Sequence, residues 1–291
     1  MNDIELVISE RDADIGNFRV GRLLPFRMKR TVGPFVFIDH MGPAELGSAQ
    51  NLDVLPHPHI GLSTLTYLLE GAIMHRDSIG SEVEIRPGAV NWMTAGKGVV
   101  HSERTPEYLR KTPKTLHGLQ IWVALPLDLE ESEPTFTHVE EREIPSWEQQ
   151  GVHFKLIAGE IRGKKSPVPV HSKLYFLEIK SPSPHSLRFD HDVYGEWGIY
   201  ILEGTITLGG VQYGPRQFLV AQPGTYWELG MAAHTTLYLF GGEPFPEKRL
   251  IDWNFVSSRR ERLQQAREEW IAQRFPAIQG ETAFVPYPGN R

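Results

Sequence analysis

Cysteine is absent from the 291-residue sequence. The chain therefore forms no disulfide, offers no thiolate to a metal and has no Cys nucleophile, which fits a reducing compartment. No secretory leader is expected either, because Met1-Asn2-Asp3-Ile4-Glu5 has neither a positive nor an apolar region. No apolar run reaches the length that crosses a bilayer. Long basic blocks are lacking too. Lys plus Arg number 30 against 36 Asp plus Glu, a formal charge of -6, and the short Arg259-Arg260-Glu261-Arg262 run is offset by nearby acids. Direct nucleic-acid binding through phosphates is not expected of such a surface. Neither a Gly-rich phosphate loop nor Gly-x-Ser-x-Gly occurs, so nucleotide chemistry and nucleophile-elbow hydrolysis have no support. The expected location is the cytoplasm, or also the nucleus if the source is eukaryotic.

What is present suits a folded globular chain: 40% apolar and 23% charged residues. The length allows one large domain or two ordinary ones. The 27 Gly and 22 Pro fall in small clusters between short apolar runs, the rhythm of an all-β protein. Thr64 to Leu69, Glu82 to Arg86, Ala89 to Met93 and Gln120 to Leu125 read as strands. A second series follows: Lys173 to Ile179, Gly198 to Leu202 and Thr205 to Leu208. Leu69-Glu70-Gly71 returns as Leu202-Glu203-Gly204, and Thr94-Ala95-Gly96 has its counterpart in Gln222-Pro223-Gly224. This is a weak internal repeat, consistent with two copies of one β fold. Between the copies, the acidic stretch from Asp128 to about Gly151 reads as a connection, with a short strand around Phe136 to Val139. From Ser257 to Gln273, Leu263, Ala266, Trp270 and Ile271 recur at helical spacing, with Ser257 or Ser258 as the cap. Trp270 reads as the packing residue of that helix.

Two short pairs carry the chemistry: His57-Pro-His59 and His101-Ser-Glu103. Alternate side chains of a strand project from one face, so each pair presents two metal-competent groups on one side. Imidazole nitrogen suits first-row divalent metals, and a carboxylate adds a hard oxygen. His57, His59, His101 and Glu103 together would leave open positions for water, O2 or substrate, as a catalytic metal site does. The set carries one negative charge, so a bound divalent ion stays net positive and favours an anionic or enolate-like oxygen. A lone His-x-His is also an ordinary surface feature. The second pair, within the same β series, raises the first above that reading.

The other histidines, His75, His117, His138, His153, His171, His185, His191 and His234, occur singly and read as surface or satisfied interior residues. His40, next to Asp39, reads equally as packing or as a hydrogen-bonding support for a ligand. Lys97, between Gly96 and Gly98, covers its turn or attracts an anion.

The order His-x-His, a strand ending in Gly, Pro-Gly and a later His resembles the cupin superfamily. More narrowly, His57-Pro-His59-Ile60-Gly61-Leu62-Ser63-Thr64-Leu65-Thr66-Tyr67-Leu68-Leu69-Glu70-Gly71 resembles the signature of the pirin family. Gly33 to Pro43, Leu119 to Pro126 and Trp253 to Ser258 are similar to further pirin segments, so the resemblance spans nearly the whole chain. It implies an all-β fold of two cupin-type antiparallel barrels packed face to face, with a C-terminal helix. The implied spans are an N-terminal metal-binding barrel over 1–132 and a connection over 133–150. A C-terminal barrel without metal ligands follows over 151–256, then a helix and tail over 257–291. Ordinary cupins place an acid near Thr64, where none occurs here; as in pirins, Glu103 supplies the carboxylate. The other barrel offers only His191 and Asp192, and Leu229 and Met231 fall near the places of His101 and Glu103.

The resemblance further implies one divalent transition metal, Fe(II) first, with Mn, Ni, Cu or Zn accepted by the same donors. The implied activity is quercetin 2,3-dioxygenase-type cleavage of a flavonol-like substrate by O2, with Glu103 as ligand and general base. Pirins are also associated with transcriptional co-regulation, so the alternative is a metal- or redox-sensing protein that acts through a protein partner. A cupin isomerase or decarboxylase would use the same residues, because substrate choice lies in pocket shape.

Overall fold

Short alternating runs interrupted by turn residues fold into antiparallel strands throughout the chain. The computed structural model describes residues 3–15 and 18–289. Met1 and Asn2 of the N-terminal segment, and Asn290 and Arg291 of the tail, lie outside the described residues.

Among the described residues, the strands group into two large sheets, two small ones and a two-stranded hairpin of Leu250–Asp252 and Phe255–Ser257. One large sheet runs in the order Thr135–Val139, Val90–Thr94, Leu62–Glu70, Lys114–Ala124, Phe35–Leu46, Arg19–Leu24, Arg11–Asp14. Its small companion runs Asp53–His59, Val99–Arg104, Ile73–Asp77, Glu82–Ile85. The second large sheet runs Ile4–Ser9, Gln217–Ala221, Glu196–Glu203, Thr235–Gly242, Leu174–Ser181, Val152–Ile161, Ser146–Gln149, with Lys164–Lys165 paired to Val152–Ile161. Its small companion runs His185–Phe189, Trp227–Met231, Ile206–Leu208, Val211–Tyr213. The two small sheets follow the same topology, strand for strand, so the sequence repeat is a repeat of fold. Within each copy the sheets do not hydrogen-bond into a ring. The two expected jelly-roll barrels are thus each built of a large and a small sheet packed together.

The chain divides into two compact units that are not contiguous in sequence. One comprises Met1–Arg11, Gly21–Phe37 and Arg142–Phe245; the other comprises Asp12–Val20, Ile38–Glu141 and Pro246–Arg291. We call the second the histidine unit and the first the apolar unit. Residues 133–150, read from sequence as a connection, contribute Thr135–Val139 to the histidine unit's large sheet and Ser146–Gln149 to the other large sheet.

The interior of the apolar unit is a continuous cluster that includes Leu187, Phe189, Trp197, Ile206, Leu208, Trp227, Leu229 and Met231. One core cluster of the histidine unit gathers around Leu52, Leu68, Ile73, Ile85 and Leu116. A separate cluster joins Ile60, Val100, Phe255, Leu263, Ala266, Trp270 and Ile278. That cluster docks the C-terminal helix Arg260–Ile271 through Leu263, Ala266 and Trp270, while Ile271 is exposed. Neither Ser257 nor Ser258 caps the helix; Arg259 holds the cap position without a side-chain bond. Both serine hydroxyls instead donate to the buried Glu130 carboxylate, which also pairs with Arg249 at 3.0 Å. A carboxylate accepting several donors outcompetes the single bond a cap would make. Among the described residues, no helix is long and apolar enough to cross a membrane.

Candidate metal centre

Asp53–His59 is an edge strand, which explains how it carries Pro56 and Pro58 without breaking a ladder. It pairs antiparallel with Val99–Arg104, placing His57 directly opposite His101 and His59 opposite Val99. The register shifts between His101 and Glu103, so Glu103 faces Val54 across an extra residue on the partner strand. On its other side Val99–Arg104 pairs with Ile73–Asp77, His101 opposite Asp77 and Glu103 opposite His75. Gly61 ends the first pair's strand at φ +66, and a Cβ there would stand 2.0 Å from the Val256 carbonyl oxygen. The glycine lets the 255–257 segment lie against the histidine motif.

His57, His59 and His101 are buried, and their ligand atoms all lie within 4.8 Å of one another. The ring pairs stand 4.3 to 5.1 Å apart, centroid to centroid. Burial disfavours the imidazolium, pulling His57 down to about 4 and His59 and His101 well below their ordinary value. All three rings are therefore neutral at pH 7, each with one N–H.

Their neighbours decide which nitrogen holds it. His57 Nδ1 donates to the Leu55 carbonyl at 2.8 Å, and His59 Nδ1 donates to the Asn254 carbonyl at 3.1 Å. A carbonyl only accepts, so both rings are Nδ1–H tautomers with bare Nε2 lone pairs. His101 Nδ1 stands 3.4 Å from His75 Nδ1, and its Nε2 lies 3.1 Å from His59 Nε2. His59 Nε2 is bare, so at that distance it and His101 Nε2 either share one proton or hold one cation between them. The donor set thus fits a divalent transition metal.

Glu103 is buried, and Thr66 Oγ1 donates to its Oε1 at 3.3 Å. The same hydroxyl lies 3.0 Å from Gln120 Oε1. Burial pushes the Glu103 carboxyl above the usual carboxylate range. Among the described residues the three-donor cluster contains the histidines and not Glu103. Trp122 closes on His59 edge-to-face at 5.1 Å.

The structure shows supports that sequence reading missed. His75, read as an ordinary histidine, is buried, stacked on Phe136 at 4.4 Å and bonded through Nε2 to Asp77 Oδ2 at 3.0 Å. Burial alone would raise Asp77, but hydrogen bonds from His75 and the Ser81 backbone hold it below its ordinary range. His75-Arg76-Asp77 repeats the two-residue spacing of the other pairs, a signal that was available. The Leu55 and Asn254 carbonyls left none, since every residue has one. His40 Nε2 lies 2.8 Å from His117 Nε2. Lys97 pairs with Glu133. His191 meets the Tyr226 hydroxyl, and Asp192 pairs with Arg162.

The apolar unit's small sheet gives the same positions to other side chains. There Leu187 faces Leu229 as His57 faces His101, and Phe189 faces Trp227 as His59 faces Val99. Leu229 faces Leu208 and Met231 faces Ile206, as His101 faces Asp77 and Glu103 faces His75.

Residues 17–123 match the family model described as Pirin, and residues 176–276 match that described as Pirin C-terminal cupin domain. A pirin-like protein of Caulobacter vibrioides is 47% identical, covering 98% of this chain and 99% of its own length. A crystal structure of a quercetin 2,3-dioxygenase from Acinetobacter baumannii superimposes with a TM-score of 0.91 at 34% identity, covering 100% of this chain and 97% of that one. A bacterial pirin from Escherichia coli, crystallised with nickel(II), shares the fold with a TM-score of 0.65 at 19% identity, over 82% of this chain and 99% of its own.

Proposed function

The chain belongs to the pirin family, and from that premise we propose that it is a metal-dependent dioxygenase cleaving a flavonol-like ring in the quercetin 2,3-dioxygenase manner. The observation that carries this reading is the convergence of three buried histidines, two of them fixed as Nδ1–H tautomers by backbone carbonyls, in one unit with a buried carboxylate. The likeness to the Acinetobacter quercetin 2,3-dioxygenase supports the substrate class. His57, His59 and His101 would hold the ion, with Glu103 completing the set; Fe(II) is the expected metal. When bound, such an ion supplies Lewis acidity toward a substrate oxygen and the one-electron chemistry that O2 requires.

The chain's own residues do the rest. The Nδ1–H bonds keep the His57 and His59 rings in place while substrate enters, so little reorganisation is needed. Glu103 accepts the proton of the flavonol 3-hydroxyl as general base. Thr66 holds the carboxylate's orientation. Trp122 and the burial around His59 limit water beside the reacting atoms.

The test is oxygen-dependent loss of flavonol absorbance by Fe(II)-loaded protein. Glu103→Ala should lose about 10²–10⁴-fold in kcat, the span expected for a general base. Full activity in that variant would sink the mechanism.

A further inference from the structure

His57 and His59 are each held by a backbone carbonyl, but His101 is held by a side chain. That side chain, His75, is itself tied to a buried carboxylate. The direction of the hydrogen bonds along this chain is forced from its far end. Asp77 Oδ1 accepts from the backbone N–H groups of Ile79 at 3.1 Å and Ser81 at 2.9 Å. Its Oδ2 lies 3.0 Å from His75 Nε2, which must therefore carry a proton and donate. With that N–H on Nε2, His75 turns its Nδ1 lone pair to His101, the acceptor that His101 needs if its own Nε2 is to face a metal. His101 Nδ1, 3.4 Å away, supplies the proton, and His101 Nε2 is left bare toward His59.

We infer that His75 and Asp77 are positioning residues of the metal centre, fixing His101 as the Nδ1–H tautomer and strengthening its Nε2 as a donor. The inference rests on the reading of His57, His59 and His101 as metal ligands. The repeat supplies an independent argument. Where the apolar unit carries Leu229 in place of His101, it also carries Ile206 in place of His75 and Leu208 in place of Asp77. A histidine–aspartate pair kept only for folding would have no reason to be missing together with the ligand. Stacking of the His75 ring on Phe136 sets the plane in which its two nitrogens point. A carboxylate behind a ligand histidine raises the ligand's basicity, and losing such support typically costs 10–100-fold in metal affinity.

Asp77→Asn gives a sharp test because it keeps shape while inverting the chain. The oxygen of the new amide must stay with the two backbone donors, so its NH2 falls on His75 Nε2. His75 then donates from Nδ1, His101 accepts there, and the proton moves to His101 Nε2, where it blocks the metal. Full-length wild type, Asp77→Asn, His75→Ile and His101→Ala are compared in two ways. Zn(II) affinity is measured by competition with a chromophoric chelator. The His101 tautomer in metal-free protein is read from long-range 1H–15N NMR correlations.

The expected result is Nδ1–H in wild type, Nε2–H in Asp77→Asn, and roughly 10–100-fold weaker Zn(II) binding in that variant. His75→Ile, the residue of the equivalent position in the other unit, frees the tautomer and should weaken binding less. It also keeps the test alive if Asp77→Asn does not fold. Wild-type affinity and Nδ1–H in folded Asp77→Asn, or wild-type affinity in folded His75→Ile, would overturn the positioning role alone. Unchanged Zn(II) binding in His101→Ala would overturn the metal reading itself, and the inference with it.

Discussion

His57 shows how a single residue makes the centre depend on pH. Burial pulls its pKa from the ordinary 6.5 to about 4. Between those values the unfolded chain binds a proton that the folded chain refuses. Its contribution to stability is thus full above 6.5 and drains away as pH falls toward 4. His59 and His101 shift in the same direction for the same first cause, burial. The melting temperature of metal-free protein, followed by circular dichroism, should fall steadily from pH 6.5 to 4, and less steeply in His57→Gln. A flat profile across that window contradicts the burial argument. Thr66 makes a second prediction at this scale. Its hydroxyl stabilises the ionised form of Glu103, so Thr66→Val should raise that pKa further and move the acid limb of the kcat/KM profile to higher pH. A limb that stays in place, or moves to lower pH, argues against Glu103 as the base.

The C-terminal helix and the segment before it work as one element of the site. Asn254, whose carbonyl fixes His59, sits in the turn between strands Leu250–Asp252 and Phe255–Ser257. Glu130 and Arg249, both buried, anchor one side of that hairpin, and Trp270 packs against Trp253 on the other. The Trp270 indole also donates to the Val285 carbonyl, tying the tail down. Trp270→Ala should cost roughly 3–5 kcal/mol of stability. Because the hairpin loosens with it, metal should leave faster when a chelator is added. A lowered melting temperature with an unchanged metal off-rate would show that helix and centre are uncoupled. Glu130 and Glu131 read in sequence as part of an acidic stretch. Folding turns them into acceptors for Ser257, Ser258, Arg259 and Arg262, partners about 130 residues away that no local pattern announces.

At the scale of the molecule, one fold occurs twice with opposite fillings. The small sheet of the histidine unit carries His57, His75, Asp77, His101 and Glu103 where the other carries Leu187, Ile206, Leu208, Leu229 and Met231. An apolar set buries without needing partners; a polar set requires every donor and acceptor to be matched. Elemental analysis of protein reconstituted with excess Fe(II) should therefore give one tightly held metal per chain, and a stoichiometry of two would contradict the assignment. Metal at 100 times its dissociation constant should add about 2.7 kcal/mol to stability, seen as a rise in melting temperature that chelator reverses.

The sequence by itself determined the β class, the twofold repeat and the two-residue spacing that places His57, His59 and His101 on one face. These are local properties: alternation, turn residues and side-chain direction along a strand are set within a few residues. Only the tertiary structure decided what lies behind each ring. The proton positions on His57, His59 and His101 depend on the Leu55 and Asn254 carbonyls and on His75 with Asp77. Asn254 is 195 residues from His59, and a backbone carbonyl leaves no mark in the side-chain pattern. The same holds for the register shift that sets Glu103 across from Val54, since pairing between strands is fixed by long-range packing rather than by either strand alone.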